Sequence, residues 1–495
     1  MTARWPKPLV REGIQAIVLT TICPEQTLWD AILPPEALSL PAGLAEIDAL
    51  LDDPRFFEPF RAYFDPRQGR PSIPMEWFLR LMFLRFRYKL GFEALCREVT
   101  DSLAWRRFCR IPLGVSVPHP STLEKILTRT GEAAIAGLNE ALLAKAAESK
   151  LIKTDKVRTD TTVVPANVAY PTDSGLLAKG VARLSVLVGR VKDAGLAART
   201  TFRDRTRSMR RRAHGIGAWL RRRNEDAREE VYALTAEMAA IATATVAEVA
   251  DVVRNARRTL ARRGVSAASS AWAALAELES LAATVQTIAD QARTRIAGGV
   301  PDGATRVVSL HDPDARPIRK GRIGKPVEFG YKAQVTDNAE GIVLDHQVMK
   351  GNPTDAPLLV PAISRIKARF GRAPRVVAAD RGYGEARVDA ELEALGVRTV
   401  VIPRKGRPGP ARQAVQRSER FVKVVKWRTG CEGRASCLKR DWGWSRTLKD
   451  GEAGAATWCG WGILAHNSTK IAKMMSDQRA TGPPGPREPR VTTKL

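Results

Sequence analysis

The sequence predicts an α/β core with an all-α N-terminal domain and an inserted α-helical, coiled-coil-like bundle. Strand patterns occur in two separate places, at residues 156–164 and again after residue 306. Between them, apolar residues repeat at three- and four-residue steps, as in packed long helices. The predicted boundaries are 1–150 for the N-terminal domain, 151–175 and 301–475 for the core, 176–300 for the bundle, and 476–495 for a disordered Pro-rich tail.

The N-terminal domain is predicted to consist of short amphipathic helices. Residues 41–51 and 75–83 each place apolar side chains at helical spacing, and Ser121 with Glu124 forms the S-x-x-E signature of a helix start. The arginines predicted on the outer faces of the second helix are Arg80, Arg85 and Arg87. Such helices suit a helix-turn-helix-like DNA-binding unit, but a subdomain that only packs or dimerises fits them equally well.

Charge is the unusual feature of the composition. Lys and Arg number 80 against 53 Asp and Glu, which gives a net charge of +27. This balance favours a nucleic acid or an anionic membrane as partner. Apart from Ala-rich helices interrupted by charges, no apolar run approaches the roughly 20 residues of a membrane-spanning helix. The short apolar patch near the N-terminus lacks a convincing cleavage site. We therefore expect a cytoplasmic, DNA-binding protein.

The six cysteines show no Cys-x-x-Cys pair and no accompanying histidine spacing. Scattered cysteines of this kind predict reduced thiols and argue against a zinc site.

One segment of the predicted bundle is almost purely basic. Nine arginines stand against a single acidic residue between Arg203 and Arg223. A solvated helix face normally mixes charges of both signs, so we favour contact with DNA phosphates over a plain solvated face. The predicted contacts are Arg210, Arg211, Arg212, Arg221, Arg222 and Arg223.

The α/β part begins with two alternating stretches, 327–336 and 341–349, that predict a β-hairpin. The segments that follow predict a helix to about residue 370, a strand at 376–379, a helix at 385–395, a strand at 397–402, a basic linker or mobile loop at 403–418, a helix at 431–440 and a last helix at 451–475. The strand–helix–strand order implies parallel pairing through a right-handed crossover.

Two aspartates lie in apolar strand contexts. Asp160 is at the centre of KVRTDTTVV, and Asp380 ends RVVAAD. A buried carboxylate is costly without a compensating cation, and ligands of open α/β sheets bind at the carboxyl ends of strands. With Glu432 from a predicted helix, these residues are expected to bind Mg²⁺, or Mn²⁺ in its place, for phosphodiester chemistry. On spacing alone, Glu385, Glu419 and Glu452 compete with Glu432.

Three further residues are candidates for holding DNA phosphates. Lys439 lies two helical turns after Glu432 and should share its face, and Arg381 and Tyr383 directly follow Asp380. Alternatively, Lys439 is a surface charge and Arg381 is the ion-pair partner of Asp380.

Several long motifs together resemble one protein family. They are RTDTTVVPANVAYPTD, KPVEFGYKAQVTD, GNPTD, AADRGYGE and RTGCEGRASCLKR, with the helical GRPS…LRLMFLRFRYKLGFEALCREVTDSLAWRRFCRI before them. The chain resembles bacterial insertion-sequence transposases with a DDE catalytic triad, and most closely the ISNCY group.

The resemblance implies an RNase H-like catalytic core, a mixed sheet flanked by helices. It also implies Mg²⁺-dependent cleavage and strand transfer of double-stranded DNA at transposon ends and target, by a homodimer or higher multimer. Motif by motif, Asp160, Asp380 and Glu432 take the three acidic positions. Two alternatives stay open: a catalytically inactive protein that binds transposon ends, and an RNase H-like nuclease without strand transfer.

Overall fold

The structure is a computed structural model that describes residues 17–21, 32–34, 36, 39–222, 225–266, 269–319 and 327–481. The predictions for Arg223 and for the tail from residue 482 onward fall outside the described residues, as does Cys23. The five described cysteines are all free thiols.

The N-terminal domain is mainly helical. Its elements are β1 (Ile17–Thr20), α1 (Ala42–Leu51), α2 (Glu58–Arg61), β2 (Arg70–Pro74), α3 (Met75–Tyr88), α4 (Phe92–Asp101), α5 (Leu103–Phe108) and α6 (Pro120–Glu148). The all-α prediction was wrong in one detail, because β1 and β2 pair in parallel. The predicted start of α6 was also displaced. Pro120 opens this helix, and the ring of His119 accepts the cap hydrogen bond from the Ser121 N–H at 3.2 Å.

Two of the arginines predicted on the outside of α3 are buried instead. The guanidinium of Arg80 is fully buried and pairs with Asp48 at 2.7 Å. The guanidinium of Arg85 lies 4.1 Å from the ring centroid of Phe92 and 4.7 Å from that of Trp458. Both arginines contact groups inside the protein and do not face DNA. This face of α3 therefore does not support the helix-turn-helix prediction.

In its described residues, the inserted bundle contains four helices: α7 (Asp173–Asp193), α8 (Thr206–Trp219), α9 (Glu225–Arg262) and α10 (Ser270–Ile296). Their apolar stripes form a hydrophobic core of their own. Asp173 at the start of α7 pairs with Arg295 at the end of α10 at 3.1 Å, so the chain enters and leaves the bundle at one place. Within the described residues, Asp226–Arg262 is the one helix whose length and composition would suit a membrane span. Here it packs against α7, α8 and α10.

The α/β core surrounds a six-stranded sheet. Its elements are β3 (Lys156–Pro165), β4 (Arg316–Arg319), β5 (Val327–Asn338), β6 (Val343–Lys350), α11 (Ala356–Phe370), β7 (Val376–Ala379), α12 (Ala386–Ala394), β8 (Thr399–Val401), α13 (Pro410–Arg417), α14 (Glu419–Arg428), α15 (Gly430–Asp441) and α16 (Glu452–Thr481). β3 is central, antiparallel to β5 and parallel to β7, which is parallel to β8. β4 and β6 pair with β5.

Most predicted elements of the core are present, with three differences. The segment predicted as a linker, 403–418, contains α13, and α14 follows it without having been predicted. β4 was also missed. The last helix runs six residues beyond its predicted end, to Thr481, so the predicted disordered tail is helical over its first residues. Ser418 caps α14 by accepting a hydrogen bond from the Phe421 N–H at 3.3 Å.

The N-terminal domain and the α/β core share one hydrophobic core. α16 packs against α1, α3 and α6 on one side and β6 on another. The ring of Trp461 meets the ring of Phe78 edge-on, with centroids 5.8 Å apart, and Trp458 packs 4.8 Å from Phe86. The predicted boundary at residue 150 therefore does not separate two independent cores.

Candidate active site

The register of two parallel strands brings Asp160 and Asp380 together. Thr159 on β3 pairs with Ala379, the last residue of β7, and the residue after each of them is an aspartate. The Asp160 carboxylate is 16% exposed and accepts the Thr161 N–H at 2.8 Å. Asp380 begins the turn after β7, where its carboxylate accepts the Gly382 N–H at 2.8 Å. Backbone donors thus fix one oxygen of each carboxylate.

A third aspartate, Asp355, lies beside Asp380. A Cβ on Gly382 would stand 2.6 Å from one Asp355 oxygen and 3.0 Å from one Asp380 oxygen, so only glycine fits between them. Asp355 pairs with Lys332 at 2.6 Å and accepts the Thr161 hydroxyl at 3.1 Å. Asp355 was not among the predicted site residues. Its position in GNPTD, one of the motifs of the family resemblance, was the available signal.

Burial and mutual repulsion dominate the electrostatics of this cluster. Burial, and then the neighbouring charge of Asp380, raise the pKa of Asp160 to about 6. Burial and the charge of Asp355 raise the pKa of Asp380 as well. The two carboxylates therefore have less compensating positive charge than their burial demands.

Arg428 connects Asp160 to Glu432. Its guanidinium, 13% exposed, lies 3.1 Å from a carboxylate oxygen of Asp160 and 3.4 Å from one of Glu432. Arg428 ends α14 and Glu432 lies in the first turn of α15, a side-chain spacing of four residues that sequence analysis could have noticed. The Glu432 carboxylate is 68% exposed, and its charge also contributes to the raised pKa of Asp160.

Two of the glutamates that competed with Glu432 lie elsewhere. Glu385 pairs with Lys405 at 3.0 Å, and Glu452 at the start of α16 accepts the Lys350 N–H at 3.0 Å. Neither of these two contacts involves Asp160 or Arg428. Of Glu385, Glu432 and Glu452, Glu432 is the one joined to Asp160, through the shared Arg428; its catalytic role stays a prediction.

The residues that follow Asp380 differ from their predicted role. Tyr383 is fully buried, and its hydroxyl accepts the side-chain N–H of Gln334 at 3.1 Å. Its predicted contact with DNA is wrong for this structure, because the ring packs inside the core. Arg381 is exposed, and its guanidinium donates to the Gly406 carbonyl at 3.1 Å, not to Asp380. Lys439 is half-buried near the end of α15.

A cavity of about 370 Å³ adjoins Asp355 and Gly382. Its lining includes cationic and hydroxyl side chains: Arg319, Lys332, Lys405, Thr161, Thr162 and Thr354. Cations and hydroxyls are the groups that contact DNA phosphates.

The arginines of the bundle divide into two groups. Arg210 and Arg211 on α8 are exposed, as are Arg221 and Arg222 just beyond it. The guanidinium of Arg222 lies over the ring of Trp219, 4.3 Å from its centroid. Arg212 is half-buried and pairs with Glu237 at 2.6 Å, so an intramolecular partner offsets its charge.

The acidic cluster offers oxygen donors that suit a divalent cation. Among the described residues, no three Asp, Glu, His or Cys side chains form a ready-made metal site. The donor chemistry nevertheless fits Mg²⁺, which takes oxygen ligands and commonly needs only one or two carboxylates besides water and substrate phosphate. Asp160 and Asp380 supply such a pair, and a cation beside them would offset the burial and repulsion that raise both pKa values.

Comparison with known families gives two matches. The Transposase domain (DUF772) family matches residues 33–129, and the Transposase DDE domain family matches residues 305–468. The chain is also similar to the Rhizobium meliloti protein described as uncharacterized protein ORF8 in nfe locus. The two are 26% identical over 187 residues, which covers 35% of this chain and 82% of that protein. No solved structure matches.

The two family matches follow the division of the chain described above. The first covers most of the described N-terminal domain, and the second runs from before β4 into α16 and includes Asp355, Asp380 and Glu432. Asp160 and the inserted bundle lie between the matches, so the place of Asp160 in the site depends on strand register. The chain belongs to the DDE transposases of bacterial insertion sequences.

Proposed function

We propose that this transposase is catalytically active and that Asp160, Asp380 and Glu432 bind Mg²⁺, or Mn²⁺ in its place. The reaction is cleavage of phosphodiester bonds at the transposon ends, followed by joining of the new DNA 3′ end to a target. The observation that supports this most strongly is the β3–β7 register, which makes Asp160 and Asp380 neighbours. They lie in a buried cluster with too little positive charge to balance its carboxylates.

Each acidic residue has a defined part in this proposal. A divalent cation held by these residues would supply charge stabilisation for the attacking and leaving oxygens in phosphodiester displacement. Asp160 and Asp380 would hold the cation through their carboxylates; one Asp160 oxygen accepts a backbone N–H and the other is paired with Arg428 at 3.1 Å. Glu432, on the exposed side of the cluster, would release Arg428 and be the third residue to hold the cation.

Arg428 and Lys439 are proposed to hold the scissile phosphate. Once Glu432 turns away, the guanidinium of Arg428 has donors for a non-bridging phosphate oxygen while it still pairs with Asp160. Lys439 lies two turns after Glu432 on the same face of α15 and holds the neighbouring phosphate. Both groups position the DNA backbone without reading its sequence.

Two surfaces are proposed to bind the rest of the DNA. The cavity beside Asp355 receives the strand next to the scissile bond, with Lys405 and Arg319 as phosphate contacts. The exposed arginines of the bundle, Arg210, Arg211, Arg221 and Arg222, contact the duplex farther away. Because two transposon ends must be joined, we propose a homodimer or higher multimer on DNA, in the cytoplasm.

A strand-transfer assay tests the proposal. The donor is a supercoiled plasmid that carries the DNA ends flanking this gene in its host, and Mg²⁺ is supplied. We expect cleaved and joined products from the wild-type chain and none from Asp160→Ala, Asp380→Ala or Glu432→Ala. Glu452→Ala is the matched control, because Glu452 lies at the start of α16 and contacts β6.

The other outcomes separate the alternatives. Cleavage without joining would identify a nuclease. Bound but uncut DNA would identify an inactive end-binding protein. If Glu432→Ala kept full activity while Glu452→Ala lost it, the third acidic assignment would be wrong.

A further inference from the structure

Asp337 on β5 lies at the centre of a buried ion-pair cluster outside the acidic site. Its carboxylate is fully buried. One oxygen accepts the Arg158 Nε–H at 2.8 Å, and the other accepts an Arg158 Nη2–H at 3.0 Å and the Arg434 Nε–H at 3.1 Å. Arg158 belongs to β3 and Arg434 to α15, so one carboxylate joins two strands and a helix.

The cluster also holds the junction between α14 and α15. The remaining guanidinium nitrogen of Arg158, Nη1, donates to the Trp427 carbonyl at 2.8 Å, and the guanidinium lies 4.7 Å from the centroid of the Trp427 ring. Trp427 immediately precedes Arg428 in the chain. Arg158 is thus fixed at both ends of its fork, by Asp337 on one side and by the end of α14 on the other.

Sequence spacing links this cluster to the acidic site. Arg158 lies two residues before Asp160 on the same face of β3, because side chains alternate along a strand. Arg434 lies two residues after Glu432 on α15. The contacts of Asp337 therefore tie α15 to β3 within two residues of Glu432 on the helix and of Asp160 on the strand.

A contribution to stability does not by itself explain why such a cluster is present. Buried ion pairs lose hydration, and well-packed apolar side chains often replace them without loss of stability. What the bidentate pair does provide is a fixed distance and direction between the groups it joins. This geometry is what a site assembled from separate strands and helices requires.

We propose that Asp337, with Arg158 and Arg434, is a positioning cluster that holds the helix bearing Glu432 at its working distance from the strand bearing Asp160. The inference rests on the proposed function, because it assigns a purpose to the separation of those two acidic residues. None of the three residues is proposed to touch DNA or metal.

Two glycines of α15 offer a matched test. A Cβ on Gly430 would stand 2.2 Å from the Arg158 Nη1 atom, whereas a Cβ on Gly433 would meet nothing within 4 Å. An arginine end can usually move aside, but here three hydrogen bonds hold it. Gly430→Ala should therefore push the start of α15 away from Arg158. Alanine has a higher helix propensity than glycine, so neither substitution should by itself weaken α15.

The measurements are single-turnover cleavage, affinity for transposon-end DNA, and Mn²⁺ binding without DNA. For Gly430→Ala we expect the cleavage rate at saturating DNA to fall about 100-fold, as for a displacement near 1 Å, with DNA affinity within about twofold of wild type. Mn²⁺ affinity should fall about 10-fold, as when residues supporting a ligand are lost. Gly433→Ala should match wild type in all three.

A second pair of variants separates positioning from general stability. Asp345 on β6 is also buried and bidentate with an arginine, Arg365 at 2.9 and 2.7 Å, but it joins the sheet to α11. Asp345→Asn should lower the melting temperature without changing the Mn²⁺ affinity. Arg434→Met should reduce both the cleavage rate and the Mn²⁺ affinity, and Arg434→Lys should restore part of each.

The outcomes distinguish this inference from the proposed function. If wild type cleaves DNA and Asp160→Ala does not, but Gly430→Ala and Arg434→Met keep the wild-type cleavage rate and Mn²⁺ affinity, the positioning role is wrong and the proposed function stands. If Asp345→Asn loses as much Mn²⁺ affinity as Arg434→Met, the cluster is only structural. Activity that survives Asp160→Ala would instead refute the proposed function, on which the inference depends.

Discussion

The acidic site and the inserted bundle use charge in opposite ways. At the site, carboxylates are buried where strands and helices from distant parts of the chain meet, and arginines from other elements partially compensate them. In the bundle, the helices bury an apolar core of their own, and Arg210 and Arg211 of α8 face solvent. The site therefore depends on distances fixed by the sheet, whereas the bundle depends mainly on how much positive charge it exposes.

This difference determines how each region should respond to mutation. A change of one atom at the site alters ion binding and local repulsion at once, so its effects on activity should be large. Exposed arginines act together through the phosphate backbone, and each contributes a modest, salt-dependent share of affinity. Three predictions test this contrast, from the largest expected effect to the smallest.

Asp160→Asn should abolish cleavage while it stabilises the metal-free protein. Loss of a metal ligand is expected to reduce the cleavage rate about 1000-fold, because the charge stabilisation that a bound metal supplies is worth several kcal/mol. The folded-state pKa of Asp160, about 6, lies above its ordinary value of 3.8. The wild type therefore loses stability as the pH rises from below 3.8 through about 6, by roughly 2 to 3 kcal/mol. The variant avoids this loss.

Thermal unfolding in EDTA at pH 4 and pH 7.5 checks the prediction. The melting temperature of Asp160→Asn should exceed that of wild type at pH 7.5 and approach it at pH 4. Added Mg²⁺ should raise the melting temperature of wild type but not of the variant. A variant less stable than wild type at pH 7.5 would mean that Arg428 already compensates the charge of Asp160.

Excision of the bundle should remove DNA affinity without unfolding the rest. Asp173 and Arg295 pair at the base of the bundle, so a short Gly/Ser linker can join the chain between them. Because the bundle has its own hydrophobic core, the shared core should still fold. Affinity for transposon-end DNA at about 150 mM salt should fall on the order of 100-fold. Circular dichroism and a binding titration measure the two effects, and a misfolded remainder would show that the cores are coupled.

Arg210→Ala combined with Arg211→Ala should weaken DNA binding about 10-fold. Each lost phosphate contact should also reduce the slope of log affinity against log salt by about 1. Arg212→Ala is the matched control, because Arg212 is paired with Glu237 and should change the slope little. Titrations at three salt concentrations give the slopes. An effect of Arg212→Ala equal to that of the double variant would place the DNA on another face of α8.

Sequence patterns predicted the parts of this fold that depend on local periodicity. The hairpin of β5 and β6, the β7–α12–β8 unit and the bundle helices follow from strand alternation and helical spacing. The strand contexts of Asp160 and Asp380 were also readable, because a carboxylate within an apolar strand is unusual.

The features that sequence patterns could not predict depend on contacts between residues far apart in the chain. Arg80 and Arg85 have the spacing of surface residues, but Asp48 and the rings of Phe92 and Trp458 make their burial favourable. Tyr383 followed a catalytic candidate and was expected to reach DNA, whereas the turn directs its ring into the core. Asp355 joins Asp380 only through the packing of α11 on the turn after β7, which no local pattern encodes.

The packing of α16 against the N-terminal helices has a consequence for protein synthesis. A ribosome finishes α1, α3 and α6 hundreds of codons before it reaches the tryptophans that cover them. A nascent or truncated chain thus leaves those apolar helices uncovered, and it should aggregate or be degraded instead of competing for transposon ends. Expression of residues 39–150 alone checks this: a soluble, folded fragment would show that the N-terminal helices fold without α16.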